Sequence, residues 1–204
     1  MKIERIFRKA TTSAANYLSR LSYVRKSRLY CVGTAKSGTH SIDSMLGDTV
    51  RSQHEPDSAQ VIRKILDISA GRISEPELKS CVRRRDKRLQ LDIDSSQLNF
   101  FLLDILIHEF IDALFLLTIR DCYSWLDSFI NDSLRRDTSR EWIMLRKLRF
   151  RDNVLTHPPE ERALKERGLY TLDGYLSYWA NHNQKVISIV PESRLLIAKT
   201  NEIT

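Results

Sequence analysis

A chain of 204 residues, 42% hydrophobic and 29% charged, has material for one buried core and is too apolar for a disordered chain. Its net charge of +7 points to an anionic partner. Cys31, Cys81 and Cys122 are odd in number and form no CxxC pair, which argues against a disulfide framework or a cysteine metal site and places the chain in a reducing compartment.

In chain order, Met1 to Arg28 holds eight Lys/Arg against one acidic residue, with Ile3, Ile6, Phe7, Ala10, Ala14, Tyr17, Leu18 and Leu21 in an approximate apolar stripe. This predicts a basic amphipathic helix to about Ser22, without the continuous apolar core of a signal peptide. Such a helix packs along its own domain or touches an anionic membrane surface, so the expected location is cytoplasmic and at most peripheral to a membrane. Residues 1–27 are set apart on this basis from a single domain over 28–204.

A buried strand over 28–33 runs into Gly33-Thr-Ala-Lys-Ser-Gly-Thr39 and a helix over 39–47. Gly33 and Gly38 stand at Walker spacing and offer bare backbone N–H groups to anionic oxygens. A Walker loop carries lysine directly after its second glycine, whereas Thr39 stands there and Lys36 lies inside the loop. An extended piece over 52–55 follows, then helices over 57–70 and 75–88, a strand over 89–94, and a helix over 96–108. The apolar run from Phe100 to Ile119 is broken by Asp104, His108, Glu109 and Asp112, which argues against a membrane span. It resolves instead into the end of that helix and a strand over 113–119 that delivers Arg120. A helix over 123–136 comes next. Residues 137–168 read as a charged helix and a mobile loop around Pro158-Pro159, followed by a helix over 171–189 and a last strand over 195–199. The alternation predicts an α/β fold: a P-loop-like central parallel sheet flanked by helices on both faces, with its ligand at the C-terminal strand ends.

Lys36-Ser37-Gly38-Thr39 after a strand resembles the 5'-phosphosulfate loop of sulfotransferases that use 3'-phosphoadenosine 5'-phosphosulfate (PAPS). A second feature is similar to the same family: Arg120 at a strand end, with Ser128 eight residues later in the next helix. There the pair holds the donor's 3'-phosphate, a task that suits a guanidinium fork and a helix hydroxyl. The resemblance implies PAPS as donor and adenosine 3',5'-bisphosphate (PAP) as product, with no metal. Lys36 would neutralise charge on the leaving oxygen, while loop N–H groups, Ser37, Gly38, Thr39, His40 and Ser41 surround the 5' oxygens. His40 departs from the family's threonine or serine. Ser41-Ile42 stand where many relatives place an aromatic residue that stacks on adenine.

In Gln53-His54-Glu55-Pro56, Glu55 matches in position the catalytic glutamate of carbohydrate and protein-tyrosine sulfotransferases, and in the carbohydrate branch that residue often precedes proline. It would take the acceptor hydroxyl's proton as the oxygen attacks sulfur in line. His54 is the competing base. Both also fit a plainer role at a helix N-terminus, with Pro56 in its first turn. The Asp94-Ser95-Ser96 stretch closes another strand, and one of its serines is expected to cap the next helix.

The resemblance covers residues 28 to about 200. Relatives continue past the stretch equivalent to Lys199–Glu202 into a basic loop over the 3'-phosphate, so the expectation is a homodimer that completes the site or low intrinsic activity. The acceptor is expected to be a hydroxyl on a sugar or a lipid-linked glycan. Two other classes remain open, a P-loop kinase or ATPase and a nucleic-acid module. The clusters at Arg83–Arg88 and Arg135–Arg151 come without zinc spacing or an RNP-like aromatic pattern, which weighs against the nucleic-acid module.

Overall fold

The computed structural model describes residues 23–202, so the expected N-terminal helix to about Ser22 lies outside the described residues. Five strands, β1 (Leu29–Cys31), β2 (Ser52–His54), β3 (Ile93–Ser95), β4 (Leu114–Ile119) and β5 (Leu195–Lys199), form one sheet in the order β2-β3-β1-β4-β5. Every neighbouring pair is parallel. Among the described residues the α-helices are α1 (Thr39–Leu46), α2 (Ser58–Ser69), α3 (Glu75–Leu89), α4 (Leu103–Glu109), α5 (Cys122–Arg135), α6 (Arg140–Arg149), α7 (Arg162–Glu166) and α8 (Leu172–Ile189).

The central strands β1 and β4 are apolar on both faces because helices cover both. Tyr30 within β1 and Val32 just after it, with Phe115 and Leu117 of β4, join one core with Val61, Ile62 and Ile65 of α2 and Val186 of α8. Cys31, Ile93 and Leu116 face the other way and meet Ile42 of α1. A separate aromatic cluster of Trp125, Phe129, Phe150, Tyr175 and Tyr178 ties α5 to α8. The P-loop-like α/β architecture is therefore the one the alternation of elements predicts. No helix among the described residues is long and apolar enough to cross a membrane.

Several boundaries differ for local reasons. The α3 helix starts with a capping box between Ser74 and Glu77 and runs through Leu89 before ending on left-handed Gln90, so β3 begins later than expected, at Ile93. The expected helix over 96–108 is two pieces. Ser96 accepts from the Leu98 N–H and caps a 3-10 turn over Gln97–Leu102, and α4 follows. Pro56 is outside any helix, because α2 begins at Ser58 behind Asp57 in the left-handed region, φ 57°. The 137–168 stretch holds α6, a 3-10 turn over Pro159–Glu161 and α7.

Candidate functional site

The loop between β1 and α1 is fixed by hydrogen bonds from four directions. Ser37 Oγ donates to the Thr34 carbonyl at 2.7 Å and lies 2.8 Å from Thr118 Oγ1 of β4. Trp125 Nε1 donates to the Ala35 carbonyl at 2.7 Å, and Thr200 Oγ1 donates to the Ser37 carbonyl at 2.6 Å. A Cβ at Gly33 would stand 2.1 Å from Thr118 Oγ1 and 2.8 Å from the Thr118 carbonyl, so only glycine lets β1 pass β4 this closely. Gly38 caps α1 at φ 105°, and no side chain among the described residues caps that helix end. The first-turn N–H groups of Thr39, His40 and Ser41 thus lack a side-chain cap and suit an anion. The Ser37 hydroxyl, by contrast, is buried and committed to the protein, and it shapes the loop from inside.

β4 carries Arg120 to the same place. Its Nε faces Ser124 Oγ at 3.3 Å and its Nη1 the Lys36 carbonyl at 3.4 Å, although Lys36 lies 84 residues earlier. Asp121 does not form a surface pair with Arg120; its carboxylate caps α5 by accepting from the Tyr123 and Ser124 N–H groups, both at 3.1 Å. Lys36, Arg120 and Ser128 line one cavity of about 440 Å³, which Asp127, Asn131, Asp132, Arg135 and Arg136 complete. That volume falls in the range of small-molecule sites. Lys36 Nζ is paired with Asp132 Oδ1 at 3.2 Å, and the same oxygen lies 3.6 Å from Arg136 Nε.

The other flank is the turn after β2. Glu55 (φ 48°) and Asp57 (φ 57°) are both left-handed around buried Pro56. Gln97 Nε2 donates to Glu55 Oε1 at 2.7 Å, and Arg85 donates to the Pro56 carbonyl at 3.0 Å while pairing with buried Asp94. The Glu55 N–H donates to the Ser95 carbonyl at 3.1 Å, and the Ser95 hydroxyl donates to the Thr39 carbonyl, so Ser95 joins the turn to the first turn of α1. His54 meets the exposed His40 ring edge-on at 5.0 Å between centroids, and its buried Nδ1 has no hydrogen-bond partner among the described residues. The loop, its helix and the His54-Glu55 turn are therefore contiguous.

A family model described as a sulfotransferase domain matches residues 28–202. The chain belongs to the sulfotransferase family. No curated protein matches the sequence.

In this sulfotransferase domain, a buried histidine supports the loop from beneath. His182 of α8 donates from Nε2 to the Val32 carbonyl at 2.7 Å, accepts at Nδ1 from the Tyr178 hydroxyl at 3.1 Å, and stacks on Phe100 with centroids 3.8 Å apart. Burial pushes its pKa down to about 3, so it stays neutral. Trp179, one helical turn earlier on α8, donates from Nε1 to the Arg120 carbonyl at 3.1 Å.

Sequence reading missed Gln97, Ser124, Asp132, Trp125 and Thr200. Of the three on α5, Ser124 and Asp132 had a signal: Ser124, Ser128 and Asp132 repeat every four residues and so share a helix face. Gln97 and Thr200 had none, since their partners lie 42 and 163 residues away. Among the described residues no group of side chains is arranged to hold a metal ion.

Proposed function

We propose that this sulfotransferase domain uses PAPS as donor and transfers its sulfuryl group to an acceptor hydroxyl, with a sugar or lipid-linked glycan as the acceptor class. The observation that carries the reading is the convergence of Lys36, Arg120 and Ser128 on one cavity beside an uncapped helix N-terminus. A donor with a 3'-phosphate and a 5'-phosphosulfate fits these groups: left-handed Gly38 leaves the first-turn N–H groups open to the 5' end, and the Arg120 fork with Ser128 suits the 3'-phosphate. The acceptor class rests on the similarity of His54-Glu55-Pro56 to the carbohydrate branch.

PAPS, when bound, supplies the activated sulfuryl group. The chain's own residues do the rest. Glu55 takes the proton as the acceptor oxygen forms its bond to sulfur and the sulfur–oxygen bond to the phosphate breaks. Gln97 fixes one carboxylate oxygen of Glu55. Lys36 leaves Asp132 to offset charge on the departing phosphate oxygen, a preorganised electrostatic contribution and not a covalent one. His54, with Nδ1 unpartnered, is the competing base.

Calorimetry with PAP and with adenosine 5'-monophosphate tests the donor reading. PAP should bind more tightly, and Arg120→Met should remove about 2–4 kcal/mol of that preference. Equal binding of the two nucleotides would overturn it.

A further inference from the structure

A groove of about 400 Å³ opens between α2 and α3 and shares no lining residue with the donor cavity. Its floor is Val61, Leu78, Val82 and Leu102, all buried core side chains. Lys64, Arg84, Arg85 and Arg88 stand around it, and Asp57 is the one carboxylate among its lining residues. Asp57 pairs with Arg88 and lies 3.8 Å from Arg85 Nε. Among the described residues Arg84 donates only to neutral atoms, Ser80 Oγ at 2.7 Å and Cys81 Sγ at 3.2 Å. Arg85 Nε is buried with no hydrogen-bond partner among the described residues. A core-grade apolar floor under a rim with excess positive charge is unsuited to inorganic phosphate, which would not use the floor, and to neutral lipids, which would not use the rim.

We propose that this groove binds a free amphipathic anion, an aryl or short acyl body bearing one sulfonate, sulfate, carboxylate or phosphate head. The body covers Val82 and Leu78, and the head meets Arg84 and satisfies Arg85 Nε. Concavity favours a monomeric amphiphile over a bilayer. The site also touches both supports of the Glu55 turn: Arg85 holds the Pro56 carbonyl, and Leu102 ends the 3-10 turn that begins at Gln97. Occupancy is therefore coupled to the placement of Glu55. The binding assignment itself does not depend on sulfuryl transfer.

The test is a fluorescence titration of the whole chain with 8-anilinonaphthalene-1-sulfonate. One saturable site is expected, weakened about tenfold by Arg84→Glu at an exposed position and abolished by Val82→Trp, which fills the floor. Both variants should keep wild-type PAP affinity and a cooperative melt; if Val82→Trp does not fold, Arg84→Glu alone decides. Monomeric dodecyl sulfate should displace the probe. The proposal is overturned if Arg84→Glu leaves the titration unchanged, if PAP displaces the probe, or if anionic vesicles bind the chain through this groove while monomeric dodecyl sulfate does not compete.

Discussion

The loop at 33–39 and the turn at 55–57 both leave the C-terminal ends of parallel strands, and both contain left-handed residues, yet they are held in different ways. In the loop, Lys36 (φ 66°) and Gly38 (φ 105°) are enforced by close packing on β4 and by short hydrogen bonds to Thr34, Trp125 and Thr200. In the turn, Glu55 and Asp57 are non-glycine residues in a region that costs on the order of 1–3 kcal/mol each, and their compensation comes from Gln97, Arg85 and Ser95. The loop is thus steric and overdetermined, while the turn depends on a few polar contacts. Strain of this kind marks a place where position matters more than stability.

The largest expected effect comes from breaking the steric side. Gly33→Ala puts a methyl group 2.1 Å from Thr118 Oγ1, 2.6 Å from Ser37 Oγ and 2.8 Å from the Thr118 carbonyl. The backbone must shift, at a cost of about 3 kcal/mol, or a Tm about 6–12 °C lower for a domain of this size. A melt within about 2 °C of wild type would show that the loop is not sterically fixed, and the contrast would fail.

The loop's support also carries a pH dependence. His182 titrates near 6.5 when unfolded and at about 3 when buried against Val32. Its folded pKa is depressed, so below pH 6.5 the unfolded chain binds a proton that the native state refuses. Stability is therefore full above pH 6.5 and falls on acidification, by about 2 kcal/mol at pH 5 from this group alone. Denaturant titrations at pH 7.5 and pH 5 read it directly. His182→Gln retains a donor for the Val32 carbonyl and should remove most of that difference; an unchanged slope would mean that other groups govern the acid limb.

How much was legible follows the same division. The loop, Arg120 and the strand–helix alternation were readable because each is a local pattern: glycine spacing, an apolar run, a strand end. Ser37 was legible as a residue but not as a role, since its hydroxyl bonds inward to Thr118, 81 residues on. The turn was readable only as His-Glu-Pro. Its left-handed geometry, the absence of Pro56 from any helix and the grip of Gln97 and Arg85 follow from tertiary contacts that no short-range period encodes. The cap by a serine before residue 97 was legible, but the split of 96–108 into a 3-10 turn and α4 was not, since a helical apolar period does not separate the two.

Gln97→Leu sharpens the polar side of the comparison. It removes the 2.7 Å bond to Glu55 Oε1, and if Glu55 is the base, kcat should fall about tenfold while PAP affinity stays unchanged, the equivalent of one hydrogen bond to a charged group. Gln97→Asn, with its shorter amide, should recover little, and Gln97→His more if the ring N–H reaches the carboxylate. A loss of PAP affinity with kcat intact would mean that Gln97 serves the donor side and that the two regions are not separable.

The smallest effect tests whether the loop's lysine is held back. Lys36 and Asp132 are 35% and 19% exposed at 3.2 Å, so the pair is worth under about 1 kcal/mol. A polyanionic nucleotide entering the cavity must face the Asp132 carboxylate, a repulsion of about 1 kcal/mol at 4 Å in water. Arg136, four residues on, offers Asp132 an alternative partner, which lowers the cost of releasing Lys36. Asp132→Asn should therefore raise PAP affinity by about two- to fivefold at low salt, with the gain shrinking at high salt as the charges are screened. Calorimetry at two salt concentrations separates the possibilities. Weaker binding by the asparagine variant would mean that Asp132 aims Lys36 into the site, and the ion pair would then be a positioning contact that the donor needs and not a counter-ion that it displaces.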